Sequence, residues 1–230
     1  MRVDSVNENT CIIYFGEVIS EDTAHLIQKA VVRLRHALGS ILLDIVPSYT
    51  SILVCFDLTK TDRFDIKVKI NQALIESSDD ISVNNDSLLI EIPVYYGSEV
   101  ALDLNEVSQL TQRTPQEVID IHSSKKYRVY AIGFSPGFSY LGSLDPQIIV
   151  PRKSKPRLKV PTGSVGLADN QTAIYPSSTP GGWQVIGRTP ITMLDWQSET
   201  LTKFNVGDRI RFKPISREEY QDLGGTFDGI

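Results

Sequence analysis

Apolar positions along the first ninety residues change period several times, and each change predicts an element. CIIYFGEV reads as a strand. From Ser20 the apolar positions Ile27, Val31, Leu34 and Leu38 recur at helical spacing, with Ser20 placed as N-cap and Gly39 placed to end the helix. ILLDIVP and TSILVCFDL follow as two strands around the turn-forming Pro47-Ser48. A second helix is predicted from about Asp62 to Ile75, and SLLIEIPVYY returns as a strand. The order βαββαβ predicts an α+β fold whose first domain, residues 1–90, is ferredoxin-like. His25 and His36 both fall on the first helix, in solvated or capping positions.

From Gly97 the texture changes, and residues 91–230 read as a second domain. Two short helices come first. The second carries a capping box, with Thr114 as N-cap, Pro115 at the first helical position and Glu117 three residues after the cap. It ends near His122, and YRVYAIGF is then an alternating strand. Beyond it the helical signal stops. Residues 133–190 hold eight of the 15 glycines and eight of the 12 prolines, which separate short apolar runs such as QIIVP, TAIYP and WQVIG. Many short strands with frequent turns predict a barrel or a sandwich. FNVGDRIRFKPI supplies a last turn and strand, and the polar tail from Ser216 is expected to fray.

Composition narrows the functional classes. A 41% hydrophobic, 22% charged chain with no low-complexity tract is that of an ordinary globular protein. No apolar run approaches the ~20 residues that span a bilayer, and MRVDSVNENT lacks the layout of a signal peptide, so a cytoplasmic protein with no membrane role is expected. Cys11 and Cys55 lie in apolar strand-like runs and read as reduced thiols. A net charge of −5 argues against a nucleic-acid partner.

GFSPG, residues 133–137, fits the G-x-S-x-G pattern of a nucleophile elbow. The elbow needs a backbone N–H from the residue after the serine, and that residue is Pro136. It also needs a helix behind the serine, which FSYLGSLDP does not predict, and a histidine after it in the chain. All three histidines precede Ser135; His122 stays open as a base only in a different triad order. Ser135 is therefore read as a turn or ligand-contact residue and not as a nucleophile.

The same half of the chain is locally basic. PRKSKPRLK places Arg152, Lys153, Lys155, Arg157 and Lys159 within eight residues, and between 133 and 190 only Asp145 and Asp169 oppose them and Arg188. This pattern suits a small anionic substrate, a carboxylate or a phosphate. The lysines read as a solvated strand edge, and Arg152 and Arg188, set beside prolines and glycines, as the functional cations. YPSSTPGGWQVIGRTP adds Tyr175 and Trp183, which supply apolar pocket walls or barrel core. Neither a metal-ligand cluster nor a Walker-type phosphate loop is present in the sequence.

Taken together, GFSPGFSYLGSLDP, VPRKSKPRLKVPTGSVGLADNQTAIYP and TPGGWQVIGRTP resemble the signature of the 5-oxoprolinase B-subunit family, also known as allophanate hydrolase subunit 1. That family includes an inhibitor of a sporulation sensor kinase. The resemblance covers about residues 120–190, with a weaker echo in IPVYYGSEVALDL; Asn170 and Ala173 stand where the family pattern has glycines. It implies a cyclophilin-like β-barrel for the second domain. It also implies association with two other subunits of 5-oxoprolinase, a homologous C-type one and a separate A-type one, to open 5-oxoproline to L-glutamate at the expense of ATP. Carried over residue by residue, it implies pocket or interface roles for His122, Phe134, Ser135, Tyr140, Arg152, Ser164, Tyr175, Trp183 and Arg188. Two other readings share these motifs: a regulator docking on a sensor histidine kinase, and an allophanate hydrolase or urea-carboxylase type subunit.

Overall fold

The computed structural model describes residues 1–75, 89–197 and 201–228. The chain forms two compact units, Met1–Asp86 and Ser87–Ile230. The first contains β1 (Arg2–Asn7), β2 (Thr10–Tyr14), α1 (Glu21–Leu38), β3 (Leu42–Pro47), β4 (Ser51–Phe56) and α2 (Asp65–Ile75). Helix α1 begins where the sequence predicts, with the Ser20 hydroxyl accepting from the Thr23 N–H, and it ends at Gly39, whose φ of 47° suits glycine. It buries Ile27, Leu34 and Leu38 with Ile52, Val54 and Phe56 of β4.

The ferredoxin-like βαββαβ order is corrected in one respect. The four-stranded sheet runs β1-β2-β4-β3, so its outer place beside β2 belongs to the N-terminal strand and not to SLLIEIPVYY. A hairpin that pairs Asn7 with Thr10 closes a far shorter loop than a return from residue 89, and the entropic cost of closure rises with loop length. The division between the units thus precedes the strand expected to complete the first one.

That strand, β5 (Leu89–Val94), opens the second unit. It is followed by α3 (Leu104–Thr111), α4 (Pro115–Ser124), β6 (Lys126–Ile132) and β7 (Ser139–Gly142). Next come β8 (Arg157–Val160), β9 (Ser164–Ala168), β10 (Gln171–Ile174), β11 (Thr179–Gly181) and β12 (Gln184–Arg188). The unit ends with β13 (Arg209–Pro214) and α5 (Arg217–Asp222). Seven strands form one sheet in the order β12-β9-β10-β7-β6-β13-β5, in which β5 and β13 pair in parallel. A backbone bridge between Tyr95 and Arg188 brings its two ends together, so the sheet is barrel-like. Gly187 permits this approach: a Cβ there would sit 2.8 Å from Val94 Cγ1 and 2.9 Å from Tyr95 O. Inside pack Val94, Val129, Leu141, Val165, Ile186 and Phe212, among others. Strands β8 and β11 form a separate two-stranded ribbon.

Helix α4 carries the predicted capping box, with Thr114 Oγ1 accepting from the Glu117 N–H and Glu117 Oε2 accepting from the Thr114 N–H. The tail is expected to fray, but its described part packs back on the unit. Ser216 and Glu219 form a second capping box on α5, and Tyr220 is buried against Tyr95 at 5.4 Å between ring centroids. Among the described residues no helix is long and apolar enough to cross a membrane.

Candidate functional site

The glycine- and proline-rich segments converge on one cavity of about 540 Å³ in the second unit. Its apolar walls are Phe134, Phe138, Tyr140, Tyr175 and Trp183. Phe138 is the hub of these rings, with edge-to-face contacts to Tyr175 at 5.4 Å and to Trp183 at 5.6 Å. The rest of the lining comes from two adjacent chain segments, one with Arg152, Lys153 and Pro156 and the other with Pro180, Gly181 and Gly182. Gly181 is required by close approach, since a Cβ there would lie 2.3 Å from Tyr175 Oη. Burial pushes the Tyr175 phenol up to about 12, which keeps it protonated near neutrality.

Five of the nine residues singled out in the sequence line this cavity: Phe134, Tyr140, Arg152, Tyr175 and Trp183. Arg152 lies 6.0 Å from the Trp183 ring centroid and pairs loosely with Asp169, Nε to Oδ2 at 3.3 Å, in a half-exposed position. Phe134 is the most exposed of the rings at 69% and adopts a φ of 73°, unusual for a residue with a side chain. The turn after it is closed by a Phe138 N–H to Ser135 carbonyl bond of 3.0 Å.

The other four lie elsewhere. Ser135 does not line the cavity; its Oγ is buried and has no hydrogen-bond partner. His122 is fully buried, with Nδ1 2.9 Å from the Tyr96 hydroxyl, Nε2 3.0 Å from Thr172 Oγ1 and its ring stacked on Phe212. Burial pushes its pKa down to about 3, so the ring is neutral and both nitrogens are engaged inside the fold. Ser164 is a buried residue of β9 whose Cα is the register partner of Arg188 on the neighbouring strand β12. Arg188 is nearly buried as well and donates to three backbone carbonyls: Nε to Thr162 at 2.7 Å, and Nη1 to Thr226 at 3.1 Å and Asp228 at 3.0 Å. It holds the chain and does not face the cavity.

Sequence reasoning missed an ionic network beside the pocket. Asp103, with 2% of its side chain exposed, accepts from Arg157 at 2.7 and 2.6 Å, from Lys153 Nζ at 2.8 Å and from the Val185 N–H at 2.7 Å. Lys153 Nζ also reaches Glu106 Oε2 at 2.7 Å. Burial alone would raise the Asp103 pKa, but the bonds from Arg157, Lys153 and Val185 together hold it below its ordinary value. Lys153 is therefore no solvated edge residue. The sequence signal was an acid just ahead of α3, which reads as an N-cap; Asp103 makes no side-chain capping bond there, because its carboxylate turns to the two cations. Among the described residues no cluster of metal ligands is present.

This architecture can be compared with known proteins. The model of the family "Carboxyltransferase domain, subdomain C and D" matches residues 1–204. The chain is 36% identical to the B subunit of 5-oxoprolinase from Bacillus subtilis over 229 residues, 95% of each chain. It is 47% identical to the B subunit of 5-oxoprolinase from Haemophilus influenzae over 123 residues, 54% of this chain and 58% of that one. Among solved structures it resembles TTHA0988 with a TM-score of 0.78 and 31% identity, over 91% of this chain; it spans only 40% of that protein. With this pocket and barrel, and with relatives of that name at 36–47% identity, the chain belongs to the 5-oxoprolinase B-subunit family of carboxyltransferase-domain proteins.

Proposed function

We propose that this chain is one subunit of an ATP-dependent 5-oxoprolinase, working with a homologous C-type partner and a separate A-type partner to open the lactam of 5-oxoproline to L-glutamate. The observation that carries the proposal is the aromatic cavity with Arg152 beside Trp183. Flat walls suit a five-membered ring, and a single guanidinium suits the one carboxylate that such a substrate bears. The same cavity offers a triphosphate little counter-charge. Its lining cations are Arg152 and Lys153, and Lys153 is already held by Asp103 and Glu106. We therefore place the ATP-handling groups elsewhere in the complex. We also read the barrel as cyclophilin-like and the protein as cytoplasmic, in keeping with its free thiols Cys11 and Cys55.

The test is co-purification with homologues of the C-type and A-type partners, followed by a glutamate-release assay with ATP. The chain alone should release no glutamate, and the three together should. A chain that stays single with every candidate partner, yet blocks autophosphorylation of a sensor histidine kinase at stoichiometric ratio, replaces this reading with the regulatory one. Turnover of allophanate instead of 5-oxoproline by the complex would move it to the urea-carboxylase type.

A further inference from the structure

The pocket lining brings together two neighbouring segments that are far apart in sequence, and one buried carboxylate touches the chain at both. On one side Asp103 accepts from Lys153, within the lining stretch from Arg152 to Pro156, and from Arg157 just beyond it. On the other side it accepts from the Val185 N–H, two residues beyond Trp183, and its own N–H donates to the Val185 carbonyl at 2.8 Å. A direct backbone bond, Lys153 N–H to Gly182 O at 2.7 Å, joins the two walls nearby. Asp103 itself is not part of the lining.

We propose that Asp103 is the positioning residue of this pocket: its carboxylate pins the Arg152–Pro156 wall to the Trp183 wall and so sets the slot for a small cyclic carboxylate. The inference rests on the reading of the cavity as the substrate site. The charges in the network balance, since Lys153 and Arg157 answer Asp103 and Glu106. Both cations next to Arg152 are thereby neutralised, and Arg152 is left as the cation that meets the ligand. Bidentate pairing to Arg157 adds direction to the contact, because the two parallel bonds fix the plane of the guanidinium. Removing the charge leaves the two cations with Glu106 alone and takes away the side-chain tie between the segments, so that only the Lys153–Gly182 backbone bond and the β8–β11 pairing hold them. A shift on the order of an ångström in a binding wall is felt in affinity before it is felt in the fold.

The experiment uses Trp183 as the reporter. The chain has two tryptophans, and Trp196 is 75% exposed while Trp183 is 5% exposed, so a Trp196→Phe background leaves emission from Trp183 alone. In that background Asp103→Asn should remain folded by circular dichroism, yet shift Trp183 emission to the red and increase its quenching by acrylamide. In the assembled complex it should raise KM for 5-oxoproline about tenfold with kcat within about twofold, the pattern of lost binding geometry. Arg157→Lys keeps the charge and loses the fork, and should move both readouts in the same direction by less; it decides the matter alone if Asp103→Asn does not fold. Folded variants with the emission and quenching of the parent overturn the proposal, and so does altered quenching with an unchanged KM. If the parent complex turns over no 5-oxoproline, the functional reading fails separately, and Trp183 emission still decides the role of Asp103.

Discussion

Tyr95 and Arg188 exchange two backbone hydrogen bonds, Tyr95 N–H to Arg188 O at 2.9 Å and Arg188 N–H to Tyr95 O at 2.8 Å. This pair closes the barrel, because β5 and β12 are the two ends of the seven-stranded sheet. The Arg188 side chain extends the closure to the C-terminal segment through the carbonyls of Thr226 and Asp228. Tyr220 and Phe227 pack with the Tyr95 ring at 5.4 and 6.3 Å. One residue thus joins the barrel seam to the tail.

Arg188→Gln should therefore act on stability and not on ligand binding. Charge-assisted bonds from a buried guanidinium to backbone carbonyls are lost, at a cost of about 2–3 kcal/mol. The midpoint of urea unfolding should fall accordingly, while affinity for a carboxylate ligand, measured by titration calorimetry on the folded protein, should stay within about twofold. A large loss of affinity with unchanged stability would return Arg188 to the anion-binding role expected from its place beside glycine and proline.

His122 predicts a pH dependence whose sign follows from its burial. In the folded state its pKa is pushed from 6.5 to about 3, so the ring stays neutral through mildly acidic pH, while the unfolded chain takes up a proton below about 6.5. Stability from this group is present above that value and is lost as pH falls, by about 1.4 kcal/mol per pH unit once the unfolded ring is charged, until the folded ring titrates near 3. Between pH 6 and 5 His122→Gln, whose amide can still meet Tyr96 and Thr172, should flatten the slope of unfolding free energy against pH. An unchanged slope would mean that another group carries the proton.

Ser135 has the letters of an elbow serine without its machinery. Pro136 has no N–H to offer, and the one histidine considered as its base has both nitrogens engaged, with Tyr96 and Thr172. Ser135→Ala should keep more than about half of the turnover of the assembled complex, a loss of under about 0.5 kcal/mol in barrier. A trapped acyl or phosphoryl adduct on Ser135 would overturn this.

What the sequence disclosed was what depends on neighbours in the chain. Ser20 and the Thr114–Glu117 box predicted helix starts because capping bonds span three residues. Phe134, Tyr140, Arg152, Tyr175 and Trp183 stood out because glycines and prolines punctuate them, and those same turns fold them onto one cavity. Long-range partnerships were not legible. Strand β5 finds its partner 120 residues downstream, as Leu89 pairs with Arg209, and leaves the unit to which its pattern assigned it. Arg188 reads as an anion ligand from the prolines and glycines beside it, while the carbonyls it binds lie 26 to 40 residues away. Asp103 was overlooked because its cations lie 50 and 54 residues away.

Arg152 remains the cation best placed to meet a carboxylate. Its side chain is half-exposed beside Trp183, and its partner Asp169 is equally exposed, held at 3.3 Å by one bond and therefore readily exchanged. A ligand carboxylate that displaces Asp169 gains a guanidinium fork that stands 6.0 Å from the centroid of an aromatic ring. Losing that charge-assisted bond costs about 1.5–3 kcal/mol, so Arg152→Gln should weaken binding of 5-oxoproline by roughly ten- to a hundredfold. Arg152→Lys should recover only part of this, since an ammonium keeps the charge but not the planar, two-pronged contact. Asp169→Asn removes the competitor and should leave affinity unchanged or raise it. The three dissociation constants, measured by calorimetry on the assembled complex, separate the cases. Parent-like affinity in Arg152→Gln would mean that the aromatic walls bind the ring without help from this cation.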